Sequence, residues 1–315
     1  MKPFIIVCDG MDKTIFQELL NQDSFEVFPE PKLSQDKIKE LMPKASALVI
    51  RSATKVSKEL VDMAPNLKYV IRAGEGTDNI DKAYCQEKGV SVSNTPGANA
   101  NSAAEHAVAL MMSLLRKTSF ADASMKRGEW NKSAFTGMEL ADKTVGFVGF
   151  GNIGKIVAKR ISGFDPKVLF FDPYCEETDI PYAKKVKNLE TIFSDSDIIT
   201  VHTPLVEATK NLINSKLLNL MKPTSILVNA ARGGIIDEAD LYQHLSDGKI
   251  RGAALDVFKE EPLAENDQLK NLRNIILTPH LGASTEEAQV RVGEMAVNQL
   301  REFFNNNNLT NEVRV

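Results

Sequence analysis

A glycine-rich loop between a predicted strand and a predicted helix is the feature that most constrains this chain. The loop reads G-F-G-N-I-G at 149–154, between a strand at 144–148 and a helix at 155–162, and a second strand at 167–171 ends at Asp172. In a βαβ unit such glycines allow a tight turn and bring backbone N–H groups close to a pyrophosphate at the helix N-terminus. An acid about 20 residues further on accepts hydrogen bonds from the adenosine ribose. This context favours a dinucleotide site over a structural glycine turn, with the members Gly149, Gly151, Gly154 and Asp172.

Asp172 also indicates which dinucleotide binds. A 2′-phosphate about 4 Å from its carboxylate would be repelled by roughly 4 kcal/mol per unit charge at an effective dielectric near 20. The next residues, Pro173-Tyr174-Cys175, include no arginine that could offset this repulsion. We therefore predict NAD rather than NADP.

The chain alternates short apolar runs with helical patterns in two series. The first has strands at 4–8, 47–50, 68–71 and 90–93, with helices at 35–42 and 57–63. The second has strands at 144–148, 167–171, 197–201, 225–229, 252–255 and 274–277. Such alternation is typical of βαβ units in a parallel sheet, and six strands match a doubly wound dinucleotide-binding domain.

The order of these segments predicts an inserted domain. A long helix from about 101 to 127, with Ser102 and Glu105 as a capping box, separates the two series, and a last helix at 286–304 precedes a polar tail at 305–308. We predict an α/β fold in which a Rossmann NAD-binding domain, 98–282, is inserted into a smaller flavodoxin-like α/β substrate-binding domain, 1–97 and 283–315. The two crossing segments are expected to form a hinge beside a ligand cleft.

Composition excludes several classes of protein. The 315 residues are 43% hydrophobic and 25% charged, with a net charge of −4 and no basic patch, so we expect no nucleic-acid partner. The longest apolar stretches, such as 107–115, are too short to span a bilayer, and the N-terminus lacks the pattern of a signal peptide. Cys8, Cys85 and Cys175 form no CxxC pair. We expect reduced thiols, no metal site and a cytoplasmic protein.

Polar residues follow the predicted strands of the second series, where open α/β sheets bind ligands. His202 follows the third strand, Arg232 the fourth, Asp256 and Glu261 the fifth, and His280 the sixth. Arginine offers a bidentate fork to a carboxylate, and histidine exchanges protons near neutral pH. The set predicts hydride chemistry on a carboxylate-bearing substrate, with His202 lining the cofactor.

The other two histidines are assigned no chemistry. His106 lies on a predicted helix and is interpreted as structural, and His244 is predicted to be exposed to solvent. Met111, Met112 and Leu114 are predicted core residues.

At these residues the chain resembles the D-isomer-specific 2-hydroxyacid dehydrogenases over nearly its whole length. The matching segments are 51–54, 72–81, 94–96, the glycine loop, 229–237, 254–262 and 279–285. The resemblance implies a catalytic Arg232, an acid/base His280 paired with Glu261, and an Asp256 that contacts the nicotinamide carboxamide. With His202, the remaining cofactor-binding residues are taken as Asn152, Ile153, Thr203, Pro204, Ala230, Ala231, Gly282 and Ala283.

The resemblance implies reversible hydride transfer at C2 of a D-2-hydroxy acid. Glu261 fits the D-V-F-x-x-E-P spacing, whereas Glu260 does not. Within the family the similarity is greatest to members that oxidise 3-phospho-D-glycerate to 3-phosphohydroxypyruvate in serine biosynthesis. Reduction of glyoxylate or hydroxypyruvate is the alternative activity. A non-enzymatic, NAD-responsive binding protein of the corepressor type is the alternative from another class.

A phosphorylated three-carbon acid needs positive charge at both ends. Strand ends of the first series could form a phosphate cradle, although their arginines could also be ordinary surface charges. The predicted substrate-binding residues are Arg51, Ser52, Arg72, Gly74 and Asn99, with Lys132 reaching in from a partner subunit. Glu75 departs from the family, where a small neutral residue is more common, and could repel an anion or pair with Arg72.

Two further expectations concern assembly and regulation. Trp130 lies among basic residues in the segment 125–135, which suits an interface, so a homodimer through the nucleotide domain is predicted over a surface loop with a half-buried Trp. Too few residues follow Phe304 for a C-terminal regulatory domain. We therefore expect no inhibition by serine through such a domain.

Overall fold

The computed structural model describes residues 2–314 and divides them into two compact units. The first unit contains the chain through Asn99 and again from Ala283 onward, and the second runs from Ala100 to Gly282. An α/β fold with a Rossmann domain was predicted, and the parallel sheets of both units confirm it.

The first unit has a five-stranded parallel sheet in the order β2-β1-β3-β4-β5, the flavodoxin-like order. Its strands are β1 (Phe4–Val7), β2 (Glu26–Val27), β3 (Ala47–Ile50), β4 (Tyr69–Arg72) and β5 (Ser91–Asn94). Its helices are α1 (Lys13–Leu20), α2 (Gln35–Leu41), α3 (Lys58–Asp62), α4 (Lys82–Glu87) and, at the end of the chain, α11 (Glu286–Asn306).

Side-chain caps explain where these helices begin, and burial on both faces explains the apolar strands. Asp12, Ser34, Ser57 and Asp81 precede the first four helices and accept hydrogen bonds from backbone N–H groups of the first turn. One face of the sheet packs on α2, α3 and α4, and the other face packs on α1 and α11. Both faces are therefore covered, as a parallel sheet requires.

The second unit has a seven-stranded parallel sheet in the order β12-β11-β10-β9-β6-β7-β8. Its strands are β6 (Thr144–Val148), β7 (Lys167–Phe171), β8 (Ala183–Lys185), β9 (Ile198–Val201), β10 (Ile226–Asn229), β11 (Gly252–Leu255) and β12 (Ile275–Leu277). Its helices are α5 (Ala100–Arg116), α6 (Thr118–Lys126), α7 (Asn152–Ile161), α8 (Leu189–Asp195), α9 (Ser215–Leu218) and α10 (Glu238–Ser246). The order reverses beside β6, which makes its carboxyl end the switch point where such sheets bind ligands.

Three predictions of secondary structure were wrong. The single helix at 101–127 is two helices, because Lys117 adopts a left-handed conformation with φ of 55° between α5 and α6. The capping box fails because α5 begins at Ala100 and Ser102 lies buried inside it. The strands β2 and β8 were missed, since neither is an apolar run.

The position of His244 differs from the prediction. His244 was predicted to be exposed, but it is buried on α10 and contacts the Asp240 carbonyl and the Asn219 side chain.

All three cysteines carry free thiols. Within residues 2–314 no helix has both the length and the hydropathy needed to cross a membrane.

Candidate active site

The glycine loop after β6 shows why each glycine is present. Gly149 has φ of 89°, and a Cβ there would lie 2.6 Å from the His202 carbonyl oxygen. A Cβ at Gly154 would lie 2.9 Å from the Gly149 carbonyl oxygen. At Gly151 a Cβ would meet nothing within 4 Å. The outer two glycines are thus required by the turn itself, whereas Gly151 borders open space that a ligand can enter.

The N-terminus of α7 faces this open space. Gly151 is its N-cap and supplies no side-chain acceptor. The backbone N–H groups of Asn152, Ile153 and Gly154 have no acceptor in the part of the chain that the structure describes. Free N–H groups and the positive end of the helix dipole form a site for a phosphate. The loop therefore fits the pyrophosphate of NAD.

Asp172, at the end of β7, braces the loop from the side. Its Oδ2 atom accepts the Phe150 N–H at 2.7 Å, and Oδ1 accepts the N–H groups of Tyr174 at 2.8 Å and Cys175 at 3.1 Å. A carboxylate offers about four acceptor positions, so one remains for the ribose. The ribose contact stays a prediction, and the bracing role is one that the sequence did not reveal.

His202 follows β9, the neighbour of β6, and is a neutral residue. Burial lowers the pKa of His202 to about 3. Its Nε2 atom lies 2.9 Å from the Thr200 hydroxyl oxygen, and its ring lies beside Phe147. A histidine with this pKa does not exchange protons near pH 7, which agrees with a lining role. Cofactor contacts at Thr203 and Pro204, in the same loop, stay predictions.

Arg232 lies in a tight loop after β10. The Asn229 side chain accepts the Ala231 N–H at 3.0 Å and donates to the Arg232 carbonyl at 2.9 Å. A Cβ at Gly233 would lie 1.8 Å from the Phe258 carbonyl oxygen, so this loop packs directly on the backbone after β11. The Ala231 carbonyl helps to hold the guanidinium, because it accepts a hydrogen bond from Arg232 Nη1 at 2.6 Å. Ala230 and Ala231 belong to this loop, and their cofactor contacts stay predictions.

Glu261 and His280 form a close pair. Glu261 Oε2 lies 2.6 Å from His280 Nδ1, and its Oε1 accepts the Phe258 N–H at 3.0 Å. Partial burial opposes ionisation of Glu261, but these hydrogen bonds outweigh it and hold its pKa below the ordinary value. The carboxylate fixes the Nδ1 proton of a neutral ring and leaves the Nε2 lone pair for a substrate. The His280 side chain is 40% exposed, so Nε2 is within reach.

A buried carboxylate holds the loop that contains His280. His280 has φ of 56°, a region that non-glycine residues rarely adopt. Its N–H donates to the Asp256 carbonyl at 2.9 Å. The Asp256 carboxylate accepts the N–H groups of Leu281 at 2.8 Å and Gly282 at 2.9 Å. Asp256 has no exposed surface, and its predicted contact with the carboxamide stays a prediction.

His106 is a residue whose position the sequence interpretation missed. It lies on α5, with Nε2 3.0 Å from Asp256 Oδ1 and 3.2 Å from the Thr278 hydroxyl oxygen. It therefore contacts the group that holds the His280 loop. The signal in the sequence is weak, because a single histidine in an apolar helix is most often a packed core residue.

In the first unit, the loop after β3 contains Arg51 and Ser52. Asp9 Oδ2 accepts the N–H groups of Arg51 at 2.6 Å and Thr54 at 2.9 Å. The Asn79 side chain donates to the carbonyls of the same two residues at 2.7 and 2.6 Å. Burial lowers the pKa of the Arg51 guanidinium, and nearby Asp9 opposes this effect. The loop is thus fixed from two sides.

Arg72, Gly74 and Asn99 lie in the same unit. A Cβ at Gly74 would lie 1.9 Å from Arg72 Nη1, so the glycine makes room for the guanidinium. Asn99 Oδ1 is buried without a hydrogen-bond partner in the described chain. Glu75 accepts the Gly97 N–H at 2.7 Å, so this carboxylate ties its loop to the segment after β5. The substrate roles of these residues stay predictions, as does the cofactor contact at Ala283.

Lys132 and Trp130 lie in the second unit after α6. Lys132 begins a short 3₁₀ helix and is exposed. The Trp130 side chain is 85% exposed, so the alternative of a half-buried tryptophan is wrong.

The glycine loop yields a prediction about two matched variants. Gly149→Ala should lower stability by about 1–3 kcal/mol, because it combines a positive φ with a backbone clash. Gly151→Ala should leave the melting temperature within about 2 °C and weaken NAD binding, because its methyl group occupies the space that the pyrophosphate approaches. Thermal unfolding and NAD titration by calorimetry measure both effects. Unchanged NAD affinity in Gly151→Ala would contradict the assigned pyrophosphate site.

Comparisons with known proteins agree with this geometry. Residues 108–282 match the family model "D-isomer specific 2-hydroxyacid dehydrogenase, NAD binding domain". A hydroxypyruvate reductase of Thermotoga maritima is 46% identical over 91% of this chain and 94% of that protein. A D-3-phosphoglycerate dehydrogenase of Archaeoglobus fulgidus is 42% identical over 88% of this chain, which spans 53% of that longer protein.

The fold agrees as well. The structure of an NAD-dependent formate dehydrogenase from Staphylococcus aureus in complex with NAD superposes with a TM-score of 0.88 at 30% identity. The alignment covers 100% of this chain and 99% of that one. The chain therefore belongs to the D-isomer specific 2-hydroxyacid dehydrogenase family and is an NAD-dependent oxidoreductase of that family.

Proposed function

We propose that this chain oxidises 3-phospho-D-glycerate reversibly to 3-phosphohydroxypyruvate with NAD, the reaction of a D-3-phosphoglycerate dehydrogenase. The observation that supports the chemistry best is the 2.6 Å hydrogen bond between Glu261 and His280, at the carboxyl edge of an NAD-binding sheet. The choice of substrate depends on Arg51 and its surroundings.

The chain's own residues supply proton transfer and electrostatic stabilisation. The glycine loop and Asp172 would hold NAD, which would supply the hydride acceptor for C2 of the substrate. His280 Nε2 takes the proton of the C2 hydroxyl group as the carbonyl forms, and Glu261 stabilises the resulting imidazolium through Nδ1. Arg232 binds the carboxylate and polarises the C2 oxygen. In the reverse direction protonated His280 donates to the ketone oxygen.

The first unit supports recognition of a phosphate. The Arg51 guanidinium is half-buried, and no carboxylate in the described residues lies within ion-pair distance of it. A half-buried cation without an ion-pair partner favours an anion as its ligand. Ser52 is exposed beside it, and Arg72 ends the neighbouring strand β4. Guanidinium groups give paired hydrogen bonds to phosphate oxygens.

Hydroxypyruvate is the second candidate substrate, and a specific observation favours it. The hydroxypyruvate reductase relative is matched over nearly its full length, whereas the phosphoglycerate dehydrogenase relative is matched over about half. The Glu261–His280 pair and Arg232 serve either substrate equally. Glyoxylate belongs with this candidate, because it also lacks a phosphate. Steady-state oxidation of NADH with 3-phosphohydroxypyruvate, hydroxypyruvate and glyoxylate ranks the three directly.

We also propose a cytoplasmic location. The three free thiols are compatible with a reducing compartment. Measurement of the protein in cytosolic and membrane fractions of its source cells tests this, and recovery outside the cytosol would contradict it.

Arg232 variants test the carboxylate fork. Arg232→Ala should leave the Kd for NAD nearly unchanged and lower kcat/KM by at least about 100-fold, because two charge-assisted hydrogen bonds are lost. Arg232→Lys should also have a greatly lowered kcat/KM, because an ammonium group does not reproduce the paired hydrogen bonds of a planar guanidinium. Arg251→Ala is the control, because Arg251 directly precedes β11 and so lies at the amino ends of the strands, opposite the carboxyl ends that Arg232 follows. Near-normal kcat/KM in either Arg232 variant would remove this residue from the mechanism.

Arg51→Ala tests the phosphate assignment. It should lower kcat/KM for 3-phosphohydroxypyruvate by roughly 10–150-fold and leave hydroxypyruvate nearly unaffected, because a charge-assisted contact contributes about 1.5–3 kcal/mol. Lys55→Ala, an exposed cation in the same loop, controls for net charge. An equal loss with both substrates would mean that Arg51 is structural, and hydroxypyruvate would become the first candidate.

We propose a homodimer through the second unit, with the partner subunit's Lys132 near the substrate. Support comes from Trp130, whose large exposed ring is followed directly by a short helix of mixed polarity. Light scattering should give about twice the 34.8 kDa chain mass, and Trp130→Ser should shift the species toward the monomer. Tyr174→Ser is the control, because Tyr174 is also a highly exposed aromatic residue of the second unit. A wild-type monomer at working concentration would overturn the proposal.

A further inference from the structure

We propose that His106 is a positioning residue for the acid/base His280, acting through the buried carboxylate of Asp256. The inference deepens the proposed function, because it assumes that His280 exchanges the substrate proton. His106 belongs to α5, far from His280 in the sequence, and Asp256, which follows β11, contacts both His106 and the loop that contains His280.

The first step is the contact between His106 and Asp256. His106 Nε2 lies 3.0 Å from Asp256 Oδ1, and the Thr278 hydroxyl donates to the same oxygen at 2.6 Å. Because an ionised carboxylate only accepts, the His106 ring must carry a proton on Nε2. Nε2 also lies 3.2 Å from the Thr278 oxygen, so the three groups form one closed network.

The second step is the hold of Asp256 on three consecutive residues. Its backbone oxygen accepts the His280 N–H, Oδ1 accepts the Leu281 N–H and Oδ2 accepts the Gly282 N–H. His280 keeps a positive φ, a strained conformation for a non-glycine residue that persists only where the surroundings enforce it. Asp256 supplies that enforcement from the backbone side, while Glu261 holds the ring.

The third step is why Asp256 needs His106. Burial opposes ionisation of Asp256, but the hydrogen bonds of His106 and Thr278 keep its pKa below the ordinary value. Protonated Asp256 would carry a hydrogen on one oxygen and lose an acceptor position for the loop. Leu281 and Gly282 face Asp256 only with backbone N–H groups, and Glu261 is the other acid coupled to it. Removal of His106 therefore weakens the hold on the loop, most strongly at low pH.

Two variants separate positioning from packing. His106→Leu fills similar volume without a donor, whereas His106→Gln keeps an N–H donor on a side chain that favours helices. His106→Leu should lower kcat by about 10–100-fold, because a small displacement of a catalytic group has an effect of this size. The acid limb of its pH–kcat profile should also move to higher pH. His106→Gln should recover kcat to within about threefold of wild type.

His244 is the matched control. It is also a buried helical histidine with two polar contacts, but these are the Asp240 carbonyl and Asn219. His244→Leu should lower the melting temperature at least as much as His106→Leu, yet leave kcat and the pH profile unchanged. His244→Leu should also retain the wild-type Kd for NAD.

The decisive measurement combines kinetics with NMR titration of the His280 ring in each variant. A kcat loss and a shifted His280 titration in His106→Leu, restored in His106→Gln and absent in His244→Leu, would establish the positioning role. Wild-type kcat in His106→Leu, or equal losses in both His106 variants that match only their loss of stability, would overturn it. The NMR signal needs no substrate. Wild-type protein that turns over no 2-keto acid, but whose His280 titration still depends on His106, would reject the proposed function and keep the inference.

Discussion

The parallel direction of every strand in the second unit is the constraint on which the site depends. Parallel neighbours bring all their carboxyl ends to one edge, so residues far apart in the sequence follow adjacent strands. His202, Arg232, Glu261 and His280 follow β9, β10, β11 and β12, which are consecutive in the sheet. The glycine loop follows β6, beside β9. A single topological rule thus places the cofactor loop and the acid/base pair at one edge.

Close contacts between backbone segments fix the positions of the loops at this edge. The turn after β6 packs on the His202 carbonyl, and the Arg232 loop packs on the Phe258 carbonyl, each at a glycine where any Cβ would collide. Three short polar side chains then bond to loop backbone: Asn229 to the loop that follows it, and Asp172 and Asp256 to neighbouring loops. Loops fixed in this way hold their functional side chains without help from a ligand, which is the preorganisation that catalysis needs.

The sequence predicted what depends on local patterns. Apolar runs located most strands, and the spacing of the glycines and Asp172 located the nucleotide loop. The sequence-based prediction failed where the structure depends on residues distant in the chain. Nothing near Lys117 marks the break after α5, because no glycine or proline interrupts the helical pattern there. His244 and His106 both lie on amphipathic helices, and only the packed structure shows that the first is buried and the second contacts Asp256.

Asp256 and Glu261 show how surroundings divide the work of two similar acids. Asp256 has no exposed surface, and its carboxylate oxygens contact backbone N–H groups, Thr278 and His106. It therefore stabilises the conformation of the loop that contains His280. Glu261 is partly exposed and directs one oxygen to the ring of His280, so it stabilises a charge that forms during the reaction. Both have a pKa below the ordinary value, because the hydrogen bonds that each accepts outweigh the effect of burial. The acid/base residue therefore has its loop backbone and its ring held by two different carboxylates.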